Sequence, residues 1–187
     1  MIVGVPKEIK NNEYRVGLTP KSVDEITSIG HDVYVENNAG FEIGYTNQNY
    51  IESGAKIINS AEEVYKSSEL IVKVKEPLSS EFNFINKDNI LFTYLHLAGN
   101  KDESIELAKT GVTGIAYETV TSDDGSLPLL SPMSSIAGQL SIIVGSYNLL
   151  KHNNGKGTLL GNVSNLEPRV VTVIGAGVAG TEAIKKA

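Results

Sequence analysis

The fold of this chain is restricted most by the alternation of short β-branched runs with amphipathic helical segments. The first helical segment begins at Thr19 and Pro20, where a hydroxyl cap precedes a proline in the first turn. Strand and helix alternating at this spacing predict right-handed crossovers and a mainly parallel sheet. Strands are predicted at residues 2–5, 31–36, 56–58, 70–74, 90–95 and 112–117, and further helices near residues 48–54, from residue 60, and at residues 102–110.

The pattern changes after Thr119. A turn-rich connection leads into one long, apolar helical pattern at residues 134–151, and a new β-branched run follows at residues 169–174. We place a domain boundary near Pro132. The sequence therefore predicts an α/β protein with a parallel-sheet domain at residues 1–132, and a bridging helix and the beginning of a second domain at residues 133–187.

The last β-branched run leads directly into Gly175-Ala-Gly177-Val-Ala-Gly180 and another helical segment. This is the dinucleotide-binding fingerprint of a Rossmann domain, in which the glycines permit a tight turn, close approach of the pyrophosphate and close packing of helix on strand. The alternative is a tight βα turn in some other α/β protein. The acidic residue that would bind the ribose lies about 20 residues further on, beyond Ala187, so the sequence does not distinguish NAD from NADP.

Composition excludes several classes of function. A net charge of −6 leaves no basic stripe for nucleic acid. The absence of cysteine excludes disulfides, thiolate catalysis and cysteine-ligated metals, and no metal site is predicted. No segment has the pattern of a secretory signal or a membrane span, and we expect a soluble, cytoplasmic protein.

Three titratable residues lie at or near the ends of predicted strands: Arg15, Lys75 and His96. Each has an ordinary structural explanation, since Arg15 could pair with Glu13, Lys75 could pair with Glu76, and His96 could be a partly buried, hydrogen-bonded residue. The carboxyl ends of parallel strands converge on one edge of the sheet, where ligands bind. There, guanidinium, ammonium and imidazole groups together suit a small anionic oxo acid.

Five sequence blocks resemble the alanine dehydrogenase family, which also includes the amino-terminal portion of nicotinamide nucleotide transhydrogenases. The blocks occur in the family's order and span the whole chain. Since the transhydrogenase branch typically lacks the histidine block, His96 favours the alanine dehydrogenase branch. The blocks are Gly4-Val-Pro-Lys-Glu-Ile-Lys10 with Arg15-Val-Gly-Leu-Thr-Pro20, Val72-Lys-Val-Lys-Glu-Pro77, Tyr94-Leu-His-Leu-Ala98, Pro132-Met-Ser-Ser-Ile-Ala-Gly138 and Val173-Ile-Gly-Ala-Gly-Val-Ala-Gly180.

The resemblance implies the reversible oxidative deamination of L-alanine to pyruvate and ammonia, with hydride passing to NAD, in an enzyme that is usually hexameric. Residues 1–132 would then be the amino-terminal part of the substrate domain. Arg15 would hold the substrate carboxylate, Lys75 would contact the oxo or amino end, and His96 would act as acid and base at the reacting carbon. Tyr94 and Met133 would shape the pocket, although a core role suits either equally.

The resemblance also implies a cofactor site. Ser134, at the start of the bridging helix, corresponds to the family's serine that meets the cofactor, and Val178 and Ala179 would offer backbone N–H groups to the pyrophosphate. One departure is Gln139, which stands where many members carry arginine.

The larger departure is length, because family chains continue through the dinucleotide domain and return to finish the substrate domain. The missing part carries a catalytic aspartate and the nicotinamide contacts, so a polypeptide of this length is expected to be inactive alone. Two alternatives stay open. One is a transhydrogenase subunit or a related amino-acid dehydrogenase, and the other is a truncated, non-catalytic binding or assembly module.

Overall fold

The computed structural model describes residues 1–161, 164–167 and 169–187. They form two compact units, Met1–Val120 and Thr121–Ala187. The functional boundary near Pro132 stays a prediction.

The first unit is built on a six-stranded sheet in which every paired strand is parallel to its neighbour. This confirms the parallel α/β fold. The strands are β1 (Ile2–Val5), β2 (Asp32–Glu36), β3 (Lys56–Ile58), β4 (Leu70–Val72), β5 (Ile90–Thr93) and β6 (Thr113–Ala116). The helices of this unit are α1 (Pro20–Ser28), α2 (Asn47–Glu52), α3 (Ala61–Ser67) and α4 (Lys101–Thr110), with 3-10 helices at Phe41–Ile43, Leu97–Gly99 and Tyr117–Thr119.

The strand order is β3-β2-β1-β4-β5-β6. The chain builds outward from β1 in one direction as far as β3, and then returns to continue from β4 on the other side of β1. The connections that leave the carboxyl ends of β1 and β4 therefore diverge, which opens a crevice between them. In open α/β sheets such a topological switch point is where ligands bind.

Strand burial explains the apolar runs of the sequence. Residues of β1 and β2 pair in register, Val3 with Val33 and Val5 with Val35, and all four are almost fully buried. Parallel sheets are covered by helices on both faces, so their central strands are apolar at successive positions.

Helix starts follow the predicted capping chemistry. The Thr19 side chain accepts a hydrogen bond from the Ser22 backbone N–H at 3.3 Å, and Pro20 lies at the first helical position of α1. Ser60 caps α3 in the same way, accepting from the Glu63 N–H at 3.3 Å. Each cap satisfies a backbone donor that has no partner inside its helix.

The strands β4 and β5 each end two residues earlier than predicted, at Val72 and at Thr93. Beyond these points some backbone N–H groups bond to side-chain carboxylates instead of to a neighbouring strand. Glu8 accepts from Val74 at 2.6 Å, and Glu118 accepts from Leu95 at 3.2 Å. A pattern of apolar residues cannot reveal where a carboxylate replaces a strand partner.

The second unit contains the predicted long helix, α5 (Ser131–Leu149), a 3-10 helix at Lys151–Asn153, and α6 (Val178–Lys186) after the glycine turn. The strand predicted at residues 169–174 is wrong, since these residues form no strand. A strand exists only as part of a ladder, and no described residue of this unit has strand structure to pair with it. Val170 and Ile174 are accordingly 88% and 97% exposed.

Within the described ranges, no helix combines the length and apolar character needed to cross a membrane.

Candidate active site

The three titratable residues singled out in the sequence follow three adjacent strands of the first unit's sheet. Arg15 lies in the connection after β1, Lys75 follows β4, and His96 follows β5. These strands are neighbours in the order β1-β4-β5. The residues thus lie along one edge of the sheet, at the switch point, as the strand-end argument predicts.

Lys75 and His96 are in direct contact, with 3.3 Å between the ammonium Nζ and the imidazole Nε2. An ammonium group only donates hydrogen bonds, so Nε2 can accept in this contact in the tautomer that carries the ring proton on Nδ1. Lys75 Nζ also lies 3.9 Å from the Glu76 carboxylate. Lys75 therefore forms the ion pair with Glu76 that the sequence allows, and it contacts His96 at the same time.

A buried charge cluster supports the backbone that carries Lys75. Glu8 Oε1 accepts hydrogen bonds from the N–H groups of Val74 at 2.6 Å and Lys75 at 3.2 Å. Lys73, which is 0% exposed, places its Nζ 3.6 Å from Glu8 Oε2 and 2.7 Å from Glu81 Oε1. Burial raises the pKa of the Glu8 carboxyl, against the opposing effect of the Lys73 charge.

Sequence reasoning missed this cluster, although Lys73 carried a signal. A lysine inside a run of valines and isoleucines is buried only if it is paired. The spacing does not reveal its partners, because Glu8 is distant in sequence and Glu81 follows a turn-rich connection.

His96 borders an open depression of about 460 Å³, lined by His96, Leu97, Ala98, Gly99, Ala116, Glu118 and Thr119. Its ring stacks on the ring of Tyr94, with centroids 5.9 Å apart and an interplanar angle of 13°. Tyr94 is buried, and burial raises the pKa of its hydroxyl, while the Arg15 charge acts to lower it. Tyr94 therefore has a packing role beside the histidine and also lies within electrostatic range of Arg15.

Arg15 forms a bidentate ion pair with Glu13. Its Nε donates to Glu13 Oε1 at 2.7 Å, and its Nη2 donates to Oε2 at 2.5 Å. These hydrogen bonds raise the pKa of Arg15 and lower the pKa of Glu13. The nearby charge of Lys75 also lowers the pKa of Glu13. The Arg15 side chain stays 47% exposed, so the pair orients the guanidinium at the rim without burying it.

The connection that carries Arg15 is held against β4 at Gly17. A Cβ built on Gly17 would lie 2.4 Å from the Val72 carbonyl oxygen, closer than two such atoms approach. Leu18 follows directly, and its carbonyl accepts a 2.9 Å hydrogen bond from the buried Tyr50 hydroxyl. Close backbone contact with β4 thus sets the position of Arg15.

We expect Gly17→Ala to move this connection away from β4 and to weaken pyruvate binding by the complete gene product about tenfold or more, since small misplacements of binding groups have large effects. Isothermal titration with pyruvate measures the effect. Gly145→Ala is the control for glycine replacement, because Gly145 lies inside helix α5 and a Cβ there would meet no atom within 4 Å. Unchanged pyruvate affinity in a folded Gly17→Ala variant would contradict the proposed constraint on Arg15.

The three glycines of the second unit's turn have the local features that the fingerprint requires of them, although residues 169–174, which precede the turn, form no strand. Gly175 has a positive φ of 102°, a conformation that L side chains rarely adopt. Gly177 is the N-cap of α6, and a Cβ there would meet no atom within 4 Å, so the space beside it is open. At Gly180 a Cβ would lie 2.1 Å from the Gly175 carbonyl oxygen, so only glycine allows this packing.

The amino-terminal half of α5 packs against α6 beside this turn. A Cβ on Gly138 would lie 2.2 Å from the Ala179 carbonyl oxygen, so the two helix backbones are in close contact. Ser134 is one turn earlier on the same face of α5 as Gly138. The structure therefore places the predicted serine on the helix face that adjoins the glycine turn.

Comparison with known proteins assigns both parts of the chain to one family. Residues 4–137 match the family model described as alanine dehydrogenase/PNT, N-terminal domain. Residues 141–187 match the model described as alanine dehydrogenase/PNT, C-terminal domain. The chain belongs to the alanine dehydrogenase/PNT family.

Curated relatives named alanine dehydrogenase are identical to this chain at about half of the aligned positions. The protein of Methanococcus maripaludis is 50% identical over 185 residues, covering 99% of this chain and 50% of the relative. That of Bacillus subtilis is 49% identical over 187 residues, covering 100% of this chain and 49% of the relative. The chain thus spans about half the length of the curated relatives it matches.

Solved structures of the family show the same fold. A structure titled L-alanine dehydrogenase superposes with a TM-score of 0.89 at 49% identity, covering 99% of this chain and 51% of that one. A transhydrogenase from Sinorhizobium meliloti superposes with a TM-score of 0.78 at 27% identity, covering 100% of this chain and 53% of that one.

Gln139, which stands where the resemblance implies arginine in many members, contacts α6. Its Nε2 lies 3.5 Å from the Glu182 carboxylate, which joins α5 to α6. A neutral amide here makes a weaker contact than an arginine would. The difference concerns the packing of the two helices.

Proposed function

We propose that the complete gene product is an NAD-dependent alanine dehydrogenase. The reaction converts L-alanine, NAD⁺ and water into pyruvate, ammonium, NADH and a proton, and it is reversible. The observation that carries the proposal is the 3.3 Å contact between Lys75 and His96 at the switch point, with Arg15 in the adjoining connection.

Each group has a chemistry that suits this substrate. A guanidinium binds a carboxylate through two parallel hydrogen bonds, so Arg15 would hold the carboxylate of alanine or pyruvate. The ammonium of Lys75 would donate to the carbonyl oxygen of pyruvate and draw electron density from the reacting carbon. His96 would move a proton at Nε2, since imidazole changes its charge near neutral pH.

The glycine turn fits a dinucleotide. Gly175, Gly177 and Gly180 fulfil the three requirements of tight turn, open approach and close packing. The backbone N–H groups of Val178 and Ala179, in the first turn of α6, would bind the pyrophosphate. NAD⁺ held there would supply the acceptor for the hydride that leaves the Cα of alanine.

From the family resemblance, we also propose that the complete gene product is cytoplasmic and forms a homo-oligomer, specifically a hexamer. Residues 1–187 by themselves are proposed to be inactive.

The discriminating experiment is an assay of the complete gene product for NADH formation from L-alanine and NAD⁺, beside an assay for hydride exchange between NADH and an NADP⁺ analogue. We expect alanine-dependent NADH formation. Likeness to the Sinorhizobium meliloti protein makes transhydrogenation the second candidate. Hydride exchange between nucleotides without any response to alanine would support it and overturn the first.

A further inference from the structure

The backbone conformation of His96 is unusual for its residue type. Among the residues that the structure describes, five that are not glycine have positive φ, and four of these are asparagines. His96 is the fifth, with φ 49° and ψ 33°. The left-handed conformation crowds the Cβ of an L-residue, and it persists in a protein where neighbouring groups hold it.

The neighbour that holds this backbone is the Glu118 carboxylate. Its Oε1 accepts the His96 N–H at 2.7 Å, and both of its oxygens accept the Leu95 N–H at 3.2 Å. Glu118 lies in the 3-10 helix Tyr117–Thr119, directly after β6, the edge strand that pairs with β5. The contact therefore joins the ends of two adjacent strands.

The same short helix supports the imidazole ring from a second direction. The ring of Tyr117 meets the ring of Tyr94 edge-on, with centroids 5.0 Å apart at 87°. Tyr94 in turn stacks on His96. Backbone and ring of the histidine are thus both fixed by residues of one turn, Glu118 directly and Tyr117 through Tyr94.

We propose that Glu118 is a positioning residue, whose carboxylate holds the left-handed backbone of His96 so that the imidazole Nε2 stays beside Lys75 Nζ. The effect on turnover rests on the proposed function. The structural part, that Glu118 fixes the His96 backbone, does not depend on it.

The alternative is that Glu118 acts through its negative charge, by moving a proton or by stabilising a charged imidazole. The geometry separates the two roles. The His96 N–H is bound by a single oxygen, Oε1, and the amide oxygen of glutamine can occupy that position without a charge. Aspartate keeps the charge, but it is one methylene shorter and does not reach as far.

The test compares Glu118→Gln, Glu118→Asp and Glu118→Ala in the complete gene product. If Glu118 acts by positioning, Glu118→Gln should keep kcat within about fivefold of the parent value. The kcat of Glu118→Asp and of Glu118→Ala should fall about 10- to 100-fold, which is the scale of a lost charge-assisted hydrogen bond. The KM for pyruvate should change less than about threefold, because Arg15 stays in place. The pH profile of Glu118→Gln should keep its shape.

Glu106→Ala is the matched control, since Glu106 is an exposed glutamate of α4 that pairs with Lys109, three positions further along the same helix. It should leave kcat unchanged. If Glu118→Gln loses as much as Glu118→Ala while Glu118→Asp stays active, the charge matters and the positioning role is overturned. Parent-like kcat in Glu118→Ala also overturns it. If Glu118→Ala does not fold, the comparison of kcat between Glu118→Gln and Glu118→Asp still distinguishes positioning from a role of the charge.

Hydrogen exchange at the His96 amide gives a readout that is independent of activity. We expect protection of this amide to fall about tenfold or more in Glu118→Ala and to persist in Glu118→Gln, because exchange follows local opening. Equal protection in the parent and Glu118→Ala contradicts the inference. Lost protection in Glu118→Ala, with no alanine turnover in the parent, contradicts the proposed function and leaves the positioning of His96 supported.

Discussion

Replacement of His96 by alanine is expected to lower the turnover of L-alanine about 10²–10⁴-fold, the usual contribution of a general acid or base. The reason is that Lys75 would keep its place at the end of β4, held by Glu8, while the group that moves the proton would be gone. The steady-state kcat of the complete gene product measures the loss, and circular dichroism establishes that the variant is folded.

A second histidine provides the matched control. His31 lies directly before β2, at the amino-terminal edge of the parallel sheet and thus opposite the strand ends that precede Lys75 and His96, and His31→Ala should keep the parent kcat. Near-normal turnover in a folded His96→Ala variant would remove His96 from the acid/base role. Equal losses in both variants would indicate a general effect of removing a histidine.

The second large effect is expected at Arg15. Arg15→Ala should weaken pyruvate binding by about 2–5 kcal/mol, the range for truncating one partner of a hydrogen-bonded charge pair. The lower part of this range is the more appropriate one, because the side chain is 47% exposed and water screens part of the interaction. Titration of the complete gene product with pyruvate measures the change.

Arg15→Lys refines this prediction. Lysine keeps the charge but cannot form the two parallel hydrogen bonds of a guanidinium, so its affinity for pyruvate should lie between those of the parent and Arg15→Ala. Lys21→Ala, at an exposed position of α1, is the control for loss of one positive charge. Parent-like affinity in Arg15→Ala would show that the substrate carboxylate binds elsewhere.

Much of the first unit follows from its sequence because each local signal there agrees with the final packing. Thr19 and Pro20 start a helix, and the valines of β1 and β2 are buried as their run of apolar residues predicts. The convergence of Lys75 and His96 follows from the same alternation, since it requires only that their strands be parallel and adjacent.

The interactions that refine the site could not be predicted in this way. Glu8 and Glu118 bind backbone groups that are far from them in sequence, and no spacing in the chain indicates those pairs. The buried Lys73 depends on partners from two other segments. Such contacts are products of tertiary packing, in contrast to the helix caps, which join residues three positions apart.

The strand predicted at residues 169–174 is wrong for a related reason. Its β-branched composition favours a strand, but strand structure needs a neighbour, and none is present among the described residues of the second unit. The glycine turn that follows keeps its predicted geometry, because the positive φ of Gly175 and the close contact at Gly180 are local.

We propose that Arg15, Lys75 and His96 form one binding site for a small oxo acid, and a crystal structure of the complete gene product with bound pyruvate would test this. We expect the pyruvate carboxylate to lie on the Arg15 guanidinium, with the carbonyl oxygen within hydrogen-bond distance of Lys75 Nζ and beside His96 Nε2. Pyruvate bound away from the switch point between β1 and β4, with these three side chains unengaged, would contradict it.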